Sequence, residues 1–314
     1  MKWGIATLFY ISILPLFALE QDSSKLVSLI TYLNKGETLK YSAVKTQIDS
    51  SGNKETKNIK NTFNIKLTVV DSTDSSYVFD FYKSPSLDEN PQIASLSIEQ
   101  QQKLLTLAQV KIRYETNEVG AFKRIINEEQ ILDKINDSFT DLKSLITSSS
   151  EETLSADIFD QLQASTDPKS LLLLYAQDIL ALHFALGLEF NIQDTTEFEE
   201  EIIAPFMNIP IKTYGIFYCD EYHAENDYIS FIEEKSIGDD FMEKVGEFFK
   251  KFENKDNPIP IDEFKNMDIY ICNNYQYNSL YGVPVYIDLY KDITVTNDKE
   301  DVKRKERYII SIEE

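Results

Sequence analysis

The sequence is poor in glycine, histidine and cysteine, and these shortages exclude several classes of enzyme. Its 314 residues include nine glycines, two histidines and two cysteines. The glycines are widely spread, and the chain contains neither Gly-x-Gly-x-x-Gly nor a P-loop, the sequences whose backbone amides bind phosphate. It also lacks the Gly-x-Ser-x-Gly elbow of serine hydrolases and the His-Glu-x-x-His motif of zinc proteases. We therefore expect no cofactor, and a noncatalytic role is favoured over an enzymatic one.

Basic side chains are scarce as well. The chain has 31 Lys and Arg residues against 53 Asp and Glu, a net charge of −22. Such a charge repels polyanions and removes the counterion release that drives nucleic-acid binding, so we expect no nucleic-acid partner. Hydrophobic residues make up 42% of the sequence and aromatic residues 12%, which predicts a folded protein with an apolar core.

The N-terminal residues have the composition of a secretory signal peptide. Lys2 precedes an apolar run at residues 3–14, and polar residues follow soon after it. The run is shorter than the roughly 20 apolar residues that span a bilayer. We predict that residues 1–19 are a signal peptide cleaved near Ala18, with an uncleaved anchor as the alternative. The mature chain would then be periplasmic, part of the cell envelope or extracellular.

Two cysteines allow one disulfide at most. Cys219 and Cys272 both lie in segments that we predict to be strands. An oxidising compartment permits them to pair if those strands are neighbours, and the sequence leaves this open. Two thiols alone cannot build a zinc site, and neither belongs to a Cys-x-x-Cys motif, so we expect no metal site and no thiol redox chemistry.

Residues 37–126 are predicted to be rich in strands. Apolar residues alternate with polar ones from Phe63 to Val69, the pattern of a half-buried strand. Turn-forming residues at 50–53 and at 117–120 predict two hairpins. Between the hairpins, Ser97 opens a short apolar segment that predicts a helix.

Residues 127–187 are predicted to be helical. Apolar residues recur every three or four positions from Ile131 to Ile146, and a second amphipathic helix is predicted after Ser150. A third helix is predicted from Asp167 and Pro168 to Gly187, because Asp caps a helix and Pro is tolerated in its first turn.

The third predicted helix is apolar nearly all round, so a membrane span must be considered. Only Gln177, Asp178 and His183 interrupt the run from Leu171 to Leu188. A central Asp costs about 2.5 to 3.5 kcal/mol on membrane-insertion scales. Together with its polar flanks, this favours a helix buried inside the protein, and we expect no stable membrane span after signal cleavage.

Residues 195–314 are again predicted to be rich in strands, with one amphipathic helix from Asp239 to Phe252. The order of strands, helices and strands predicts an α+β fold with a largely antiparallel curved sheet. Its two strand-rich halves would close around the central helical segment and its buried apolar helix. No Pro, Gly or Ser linker separates the halves, so we predict a single domain over residues 20–314. The predicted strands are 195–203, 212–219, 227–234, 268–277, 284–295 and 307–312.

Three features could carry chemistry, and each has a structural interpretation that we prefer. His183, inside the apolar helix, is predicted to be a buried, hydrogen-bonded structural residue. His223 lies among carboxylates, but without a second His or Cys at ligand spacing a solvated turn is favoured over a metal contact. Glu197, Glu199 and Glu201 would share one face of a strand, as expected for a charged solvent-facing edge that opposes aggregation.

The order of these features resembles exported proteins of Bacteroidota for which no function is established. The likeness begins in residues 104–142, which include Gly120–Glu129 and in which a strand, a Gly turn, a strand, an Asn and a helix follow one another. It continues in residues 182–214 and in the closing strands at 282–285 and 307–310. The resemblance implies a location in the cell envelope or outside the cell. It implies no catalytic residues.

The leading functional hypothesis is therefore a noncatalytic exported protein that binds an apolar or lipid-like ligand between its sheet and its buried helix. One alternative is a hydrolase with a motif-free carboxylate site, for which Glu197, Glu199 and Glu201 are the candidates. The other alternative is a surface interaction protein with a solid core.

Overall fold

The structure is a computed structural model that describes residues 26–86, 109–134, 136–137, 168–204, 209–238, 240–250, 264–297 and 301–313. Several sequence-based predictions lie wholly or partly outside these residues. They include the signal peptide at 1–19, the helix opened by Ser97 and both ends of the helix predicted at 239–252. They also include the helices from Ile131 onward, in which residues 128–134 and 136–137 are described and are helical.

The main body is one antiparallel sheet of eleven strands. Its first group comprises β2 (Thr38–Ser51), β3 (Lys54–Thr73), β4 (Ser76–Pro85), β5 (Val110–Asn117) and β6 (Phe122–Ile125). Its second group comprises β8 (Thr195–Ala204), β9 (Ile209–His223), β10 (Tyr228–Ile237), β11 (Phe264–Asn278), β12 (Val283–Asn297) and β13 (Asp301–Ile312). Each strand pairs with its neighbours along the chain, as in a meander, and β13 pairs with β2 to join the groups.

A second, small sheet pairs β1 (Leu26–Ser28) with β7 (Glu189–Asn191). The residues after β1 pack across one end of the large sheet. Leu29 and Thr31 are buried, the Thr31 amide donates to the carbonyl of Val119, and the Tyr32 amide donates to the carbonyl of Tyr281. This segment therefore ties together the hairpin loops of both strand groups.

Two helices lie on one face of the large sheet, which we call the helix face. Helix α1 (Pro168–Leu182) begins at the predicted proline. Its side chains Ile179 and Leu182 join a core that includes Phe79, Ile287 and other residues of the sheet. Helix α2 (Phe241–Lys250) packs through Phe241 and Val245 on a second apolar cluster. That cluster contains Ile211, Ile237, Met267, Ile269, Ile271 and Ile293.

The predicted α+β class is wrong, because strand is 67% and helix only 14% of the structure. The strands are much longer than the usual five or six residues, and β3 reaches 20. Their length lets one sheet dominate, with the helices as additions to one of its faces. The predicted antiparallel pairing is confirmed, as are both hairpins, whose turn glycines Gly52 and Gly120 have positive φ angles of 55° and 94°.

Helix α1 is buried on one side only, and it ends at Leu182, before the predicted end at Gly187. Among its described side chains, Ala176 and Ile179 are inaccessible to solvent, whereas Gln177 and Leu180 are exposed, so the sheet does not enclose the helix as predicted. Within the described part of the chain, no helix combines the length and apolar character needed to cross a membrane.

Candidate functional site

His183 is a structural residue of the core. Its Nδ1 lies 2.7 Å from the carbonyl oxygen of Gly120 and its Nε2 lies 2.6 Å from the Tyr114 hydroxyl. A carbonyl only accepts, so Nδ1 carries the proton, and Nε2 accepts a hydrogen bond from Tyr114. Burial lowers the pKa of His183 to about 4. The imidazole is therefore neutral and fully engaged, which fits the predicted structural role.

Little space remains between the C-terminal end of α1 and the sheet. A void at the C-terminal end of α1, bordered by Leu182, His183 and Leu186 on one side and by Phe79 and Leu67 on the other, has a volume of about 10 Å³. This is at or below the volume that one water molecule needs. A ligand enclosed at this point would have to displace core side chains.

One ion pair fixes α1 to the sheet. Lys83 Nζ on β4 lies 2.7 Å from the Asp178 carboxylate on α1. The same Nζ lies 4.5 Å from the ring centroid of Phe63 and 4.9 Å from that of Tyr308. Burial and the neighbouring Asp178 raise the pKa of Tyr308. The charge at Asp178 is thus compensated inside the fold.

A second buried ion pair lies on the helix face, between the two apolar clusters. The Glu233 side chain accepts hydrogen bonds from Asn273 Nδ2 at 2.7 Å and from the Tyr275 hydroxyl at 3.1 Å, and lies 2.7 Å from Lys235 Nζ. Lys235 Nζ also lies 2.7 Å from Glu200. Burial lowers the pKa of Lys235, but the two carboxylates outweigh burial and the net shift is upward. Both carboxylate oxygens of Glu233 have partners inside the protein, so the network is a structural element.

The opposite face of strands β8 to β11 carries an open groove, which we call the tyrosine groove. Its volume is about 590 Å³. Side chains on this face alternate with those on the helix face, so the backbone of Phe198, Gly215 and Lys235 forms its floor. The side chains that line it are Glu197, Glu199, Tyr214, Ile216, Glu234, Ser236 and Tyr270.

Strand register brings these residues together. Glu199 pairs with Tyr214, Tyr214 with Ser236, and Ser236 with Tyr270 across four adjacent strands. In the next row on the same face, Glu197 pairs with Ile216, which pairs with Glu234. The two tyrosine rings are 47% and 40% exposed. The groove therefore combines apolar, accessible ring surfaces with carboxylates.

Glu234 is held by two tyrosine hydroxyls. Tyr218 donates to Glu234 Oε1 at 3.2 Å, and Tyr270 donates to Glu234 Oε2 at 3.0 Å. Burial and the Glu234 carboxylate raise the pKa of both tyrosines. The hydroxyls thus remain protonated donors, and the position of the carboxylate is fixed.

Gly215 allows strand β8 to pack closely on β9. A side chain there would collide with the Phe198 ring and would come within 2.8 Å of the Glu234 carbonyl oxygen. The Phe198 ring covers this position on the helix face and lies 5.5 Å from Lys235 Nζ. Gly215 therefore keeps the floor of the groove flat.

The predicted carboxylates Glu197, Glu199 and Glu201 lie on β8, the terminal strand of the described sheet, and all three are exposed as expected for a charged edge. A carboxyl that serves as general acid needs an apolar, buried setting. Their exposure gives no support to the hydrolase hypothesis. The sequence analysis missed Tyr214, which pairs with Glu199, and Glu234, which lies one strand beyond Ile216, the partner of Glu197. Tyr214, Ile216 and Tyr218 nevertheless alternate on one face of a strand that was predicted.

Cys219 and Cys272 are free thiols. Cys219 on β9 pairs with Phe231, and Cys272 on β11 pairs with Glu234, so β10 separates them. Strands two apart are roughly 9.6 Å from each other, beyond the roughly 7 Å limit of a disulfide. Residues 231 and 234 also point to opposite faces. Burial raises the pKa of Cys219 to about 11, which makes it a poor nucleophile.

His223 lies at the end of β9, exposed, with its ring nitrogens 3.8 Å from Glu221 and 3.7 Å from Glu225. Among the described residues, no group of three or more His, Cys, Asp or Glu side chains is arranged to hold a metal ion.

The sequence matches no protein-family model and no curated protein. Among solved structures, lipovitellin, from a structure titled for its lipid-protein interactions, aligns with 90% of this chain at 12% identity and a TM-score of 0.46. The alignment covers 26% of the lipovitellin chain, so this chain spans about a quarter of that protein.

Two bacterial proteins align more weakly. Ail, the attachment invasion locus protein of Yersinia pestis, gives 6% identity and a TM-score of 0.16 over 89% of this chain and 100% of Ail. An outer membrane channel from Pseudomonas putida F1 gives 7% identity and a TM-score of 0.20 over 90% of this chain and 98% of the channel. Such scores establish neither a shared fold nor a shared function.

Proposed function

We propose that this protein is a noncatalytic binding protein of the cell envelope or the extracellular space, and that it holds an amphipathic, lipid-like molecule in the tyrosine groove. The location rests on the signal peptide predicted from residues 1–19. The binding role rests on the groove itself, because pockets for small ligands combine apolar and aromatic walls with a few polar groups.

Two volumes support the groove as the ligand site. The groove measures about 590 Å³, within the range of roughly 300 to 1,000 Å³ that is usual for ligand sites. The void beside α1 measures about 10 Å³. Binding in the groove needs no rearrangement of the core, whereas binding beside α1 would replace buried side chains such as Leu182 and Leu186. We therefore assign the ligand to the groove.

Fluorescence titration with Nile red, a neutral apolar dye, tests this proposal. The unaltered protein should bind the dye with a saturable rise in emission. The double variant Tyr214→Ala, Tyr270→Ala removes the exposed aromatic walls of the groove, and it should weaken binding by about tenfold or more, since aromatic side chains dominate such contacts.

A matched control uses two other exposed tyrosines, Tyr222 and Tyr281, which are 37% and 55% exposed and do not line the groove. The variant Tyr222→Ala, Tyr281→Ala should bind Nile red like the unaltered protein. Absence of saturable binding, or equal weakening in both double variants, would refute the assignment.

A further inference from the structure

We infer that the tyrosine groove selects amphiphiles that carry a positive charge, in the form of an ammonium or guanidinium group. This inference rests on the proposed function and adds the chemical class of the ligand. It follows from the charges that line the groove, from the placement of the nearby lysines and from the exposed tyrosine rings.

Two carboxylates of the groove have no cationic partner among the residues that the structure describes. Glu199 lies 3.3 Å from Lys212 Nζ and is compensated in part. Glu197 and Glu234, in contrast, form no ion pair in the described part of the chain. A positively charged ligand would supply the missing counter-charge, while an anionic ligand would be repelled.

The side chain of Lys235, whose backbone forms part of the groove floor, projects away from the groove. Lys235 follows Glu234 on β10, so its side chain projects to the helix face, where it contacts Glu233 and Glu200. Because those contacts hold Lys235 on the far side of the sheet, its charge does not neutralise the groove from within.

The tyrosines reinforce the preference for a cation. Tyr218 and Tyr270 both donate hydrogen bonds to Glu234. These bonds hold the carboxylate in place, where it can accept a hydrogen bond from a cationic ligand. The exposed rings of Tyr214 and Tyr270 lie on β9 and β11, with β10 between them. A cationic head group beside such rings gains cation–π attraction, and the alkyl part of the ligand would lie along Ile216 and the ring faces.

Calorimetric titration with three ligands of equal alkyl length tests the inference: decyltrimethylammonium, decyl maltoside and decyl sulfate, each below its micelle concentration. The cation should bind about tenfold more tightly than the neutral maltoside, as expected for two partly exposed charge contacts. The sulfate should bind least. In about 1 M NaCl the advantage of the cation should largely disappear, because salt screens exposed charges.

Two double variants with the same change in net charge separate a local effect from a global one. Glu197→Gln, Glu234→Gln should abolish the preference for the cation, measured as the ratio of decyltrimethylammonium affinity to maltoside affinity. Glu221→Gln, Glu225→Gln alters two exposed carboxylates beside His223, outside the groove, and should keep the preference.

The outcomes distinguish the two proposals. If the three ligands bind equally in the groove, or if both double variants behave alike, the cation preference is wrong and the binding function stands. If none of the three binds, both are wrong. A lysine-rich peptide that binds more tightly than decyltrimethylammonium would overturn the small amphiphile as the occupant.

Discussion

Glu233 and Glu234 are neighbours on β10 and have opposite environments. Glu233 is 3% exposed on the helix face and lies 2.7 Å from Lys235 Nζ. Glu234 lies on the opposite face, in the groove, and accepts hydrogen bonds from Tyr218 and Tyr270. The strand thus uses one carboxylate for its internal structure and presents the next one to the groove.

Replacing Lys235 should destabilise the fold strongly. The variant Lys235→Met leaves the buried Glu233 without its counter-charge, which costs about 3 to 5 kcal/mol of unfolding free energy. Lys212→Met is the control, because Lys212 and Glu199 are both about half exposed and such pairs contribute about 1 kcal/mol or less. Urea denaturation measures both. Equal losses of unfolding free energy would mean that the buried Glu233 network stabilises the fold no more than an exposed ion pair does.

The stability of the protein should fall in acid partly because of His183. Its pKa is about 4 in the folded state against about 6.5 when unfolded, so between these values the unfolded chain binds more protons. The stabilisation is complete above pH 6.5 and is lost as the pH falls towards 4, a change of about 3 kcal/mol.

The imidazole NMR signals of His183 test this directly. They should show a neutral ring protonated on Nδ1 down to about pH 5. A titration midpoint near 6.5, or a proton on Nε2, would show that the contacts with Tyr114 and Gly120 do not form as described.

Two buried tyrosines should respond oppositely to loss of the hydroxyl. Tyr41 is 1% exposed, and its hydroxyl has no hydrogen-bond partner in the described structure. Tyr41→Phe should therefore be neutral or stabilising by up to about 2 kcal/mol. Tyr114→Phe leaves His183 Nε2 without its donor and should cost about 1 to 3 kcal/mol. Thermal denaturation measures the stability of both variants. A loss of stability in Tyr41→Phe equal to that in Tyr114→Phe would contradict the expectation.

The segment after β1 should depend on Gly282. This glycine has a φ of 59°, and a side chain on it would meet the backbone of Ile30 and Thr31. Gly282→Ala should destabilise by about 2 kcal/mol or more, through left-handed strain and displacement of the segment. Gly36→Ala is the control. Gly36 has a φ of 90° and open space around it, so this variant introduces the backbone strain without a steric clash. If both variants lose the same unfolding free energy, Ile30 and Thr31 do not pack against Gly282.

Local patterns predicted much of the sheet from the sequence. The alternation at Phe63–Val69 and the turn residues before Gly52 locate β2 and β3 within a few residues of their observed bounds. Pro168 likewise marks the start of α1. These features depend on neighbours in the chain, and so a single sequence is enough to find them.

The pairing of distant strands could not be predicted in this way. Ile310 on β13 pairs with Ala43 on β2, and nothing in either segment specifies the other. The groove was missed for the same reason. Alternation places Tyr214 and Glu234 each on one face of a strand, but only the register across β9 to β11 places them with Tyr270.

The proposed function requires the ligand to bind on the face of the sheet opposite α1. Amide NMR spectra recorded while decyltrimethylammonium is added to the isotope-labelled protein show which face the ligand contacts. The largest shift changes should fall on Tyr214, Ile216, Ser236 and Tyr270. Changes centred instead on Leu182, His183 and Leu186, with the groove residues unaffected, would place the ligand beside α1 and contradict the claim.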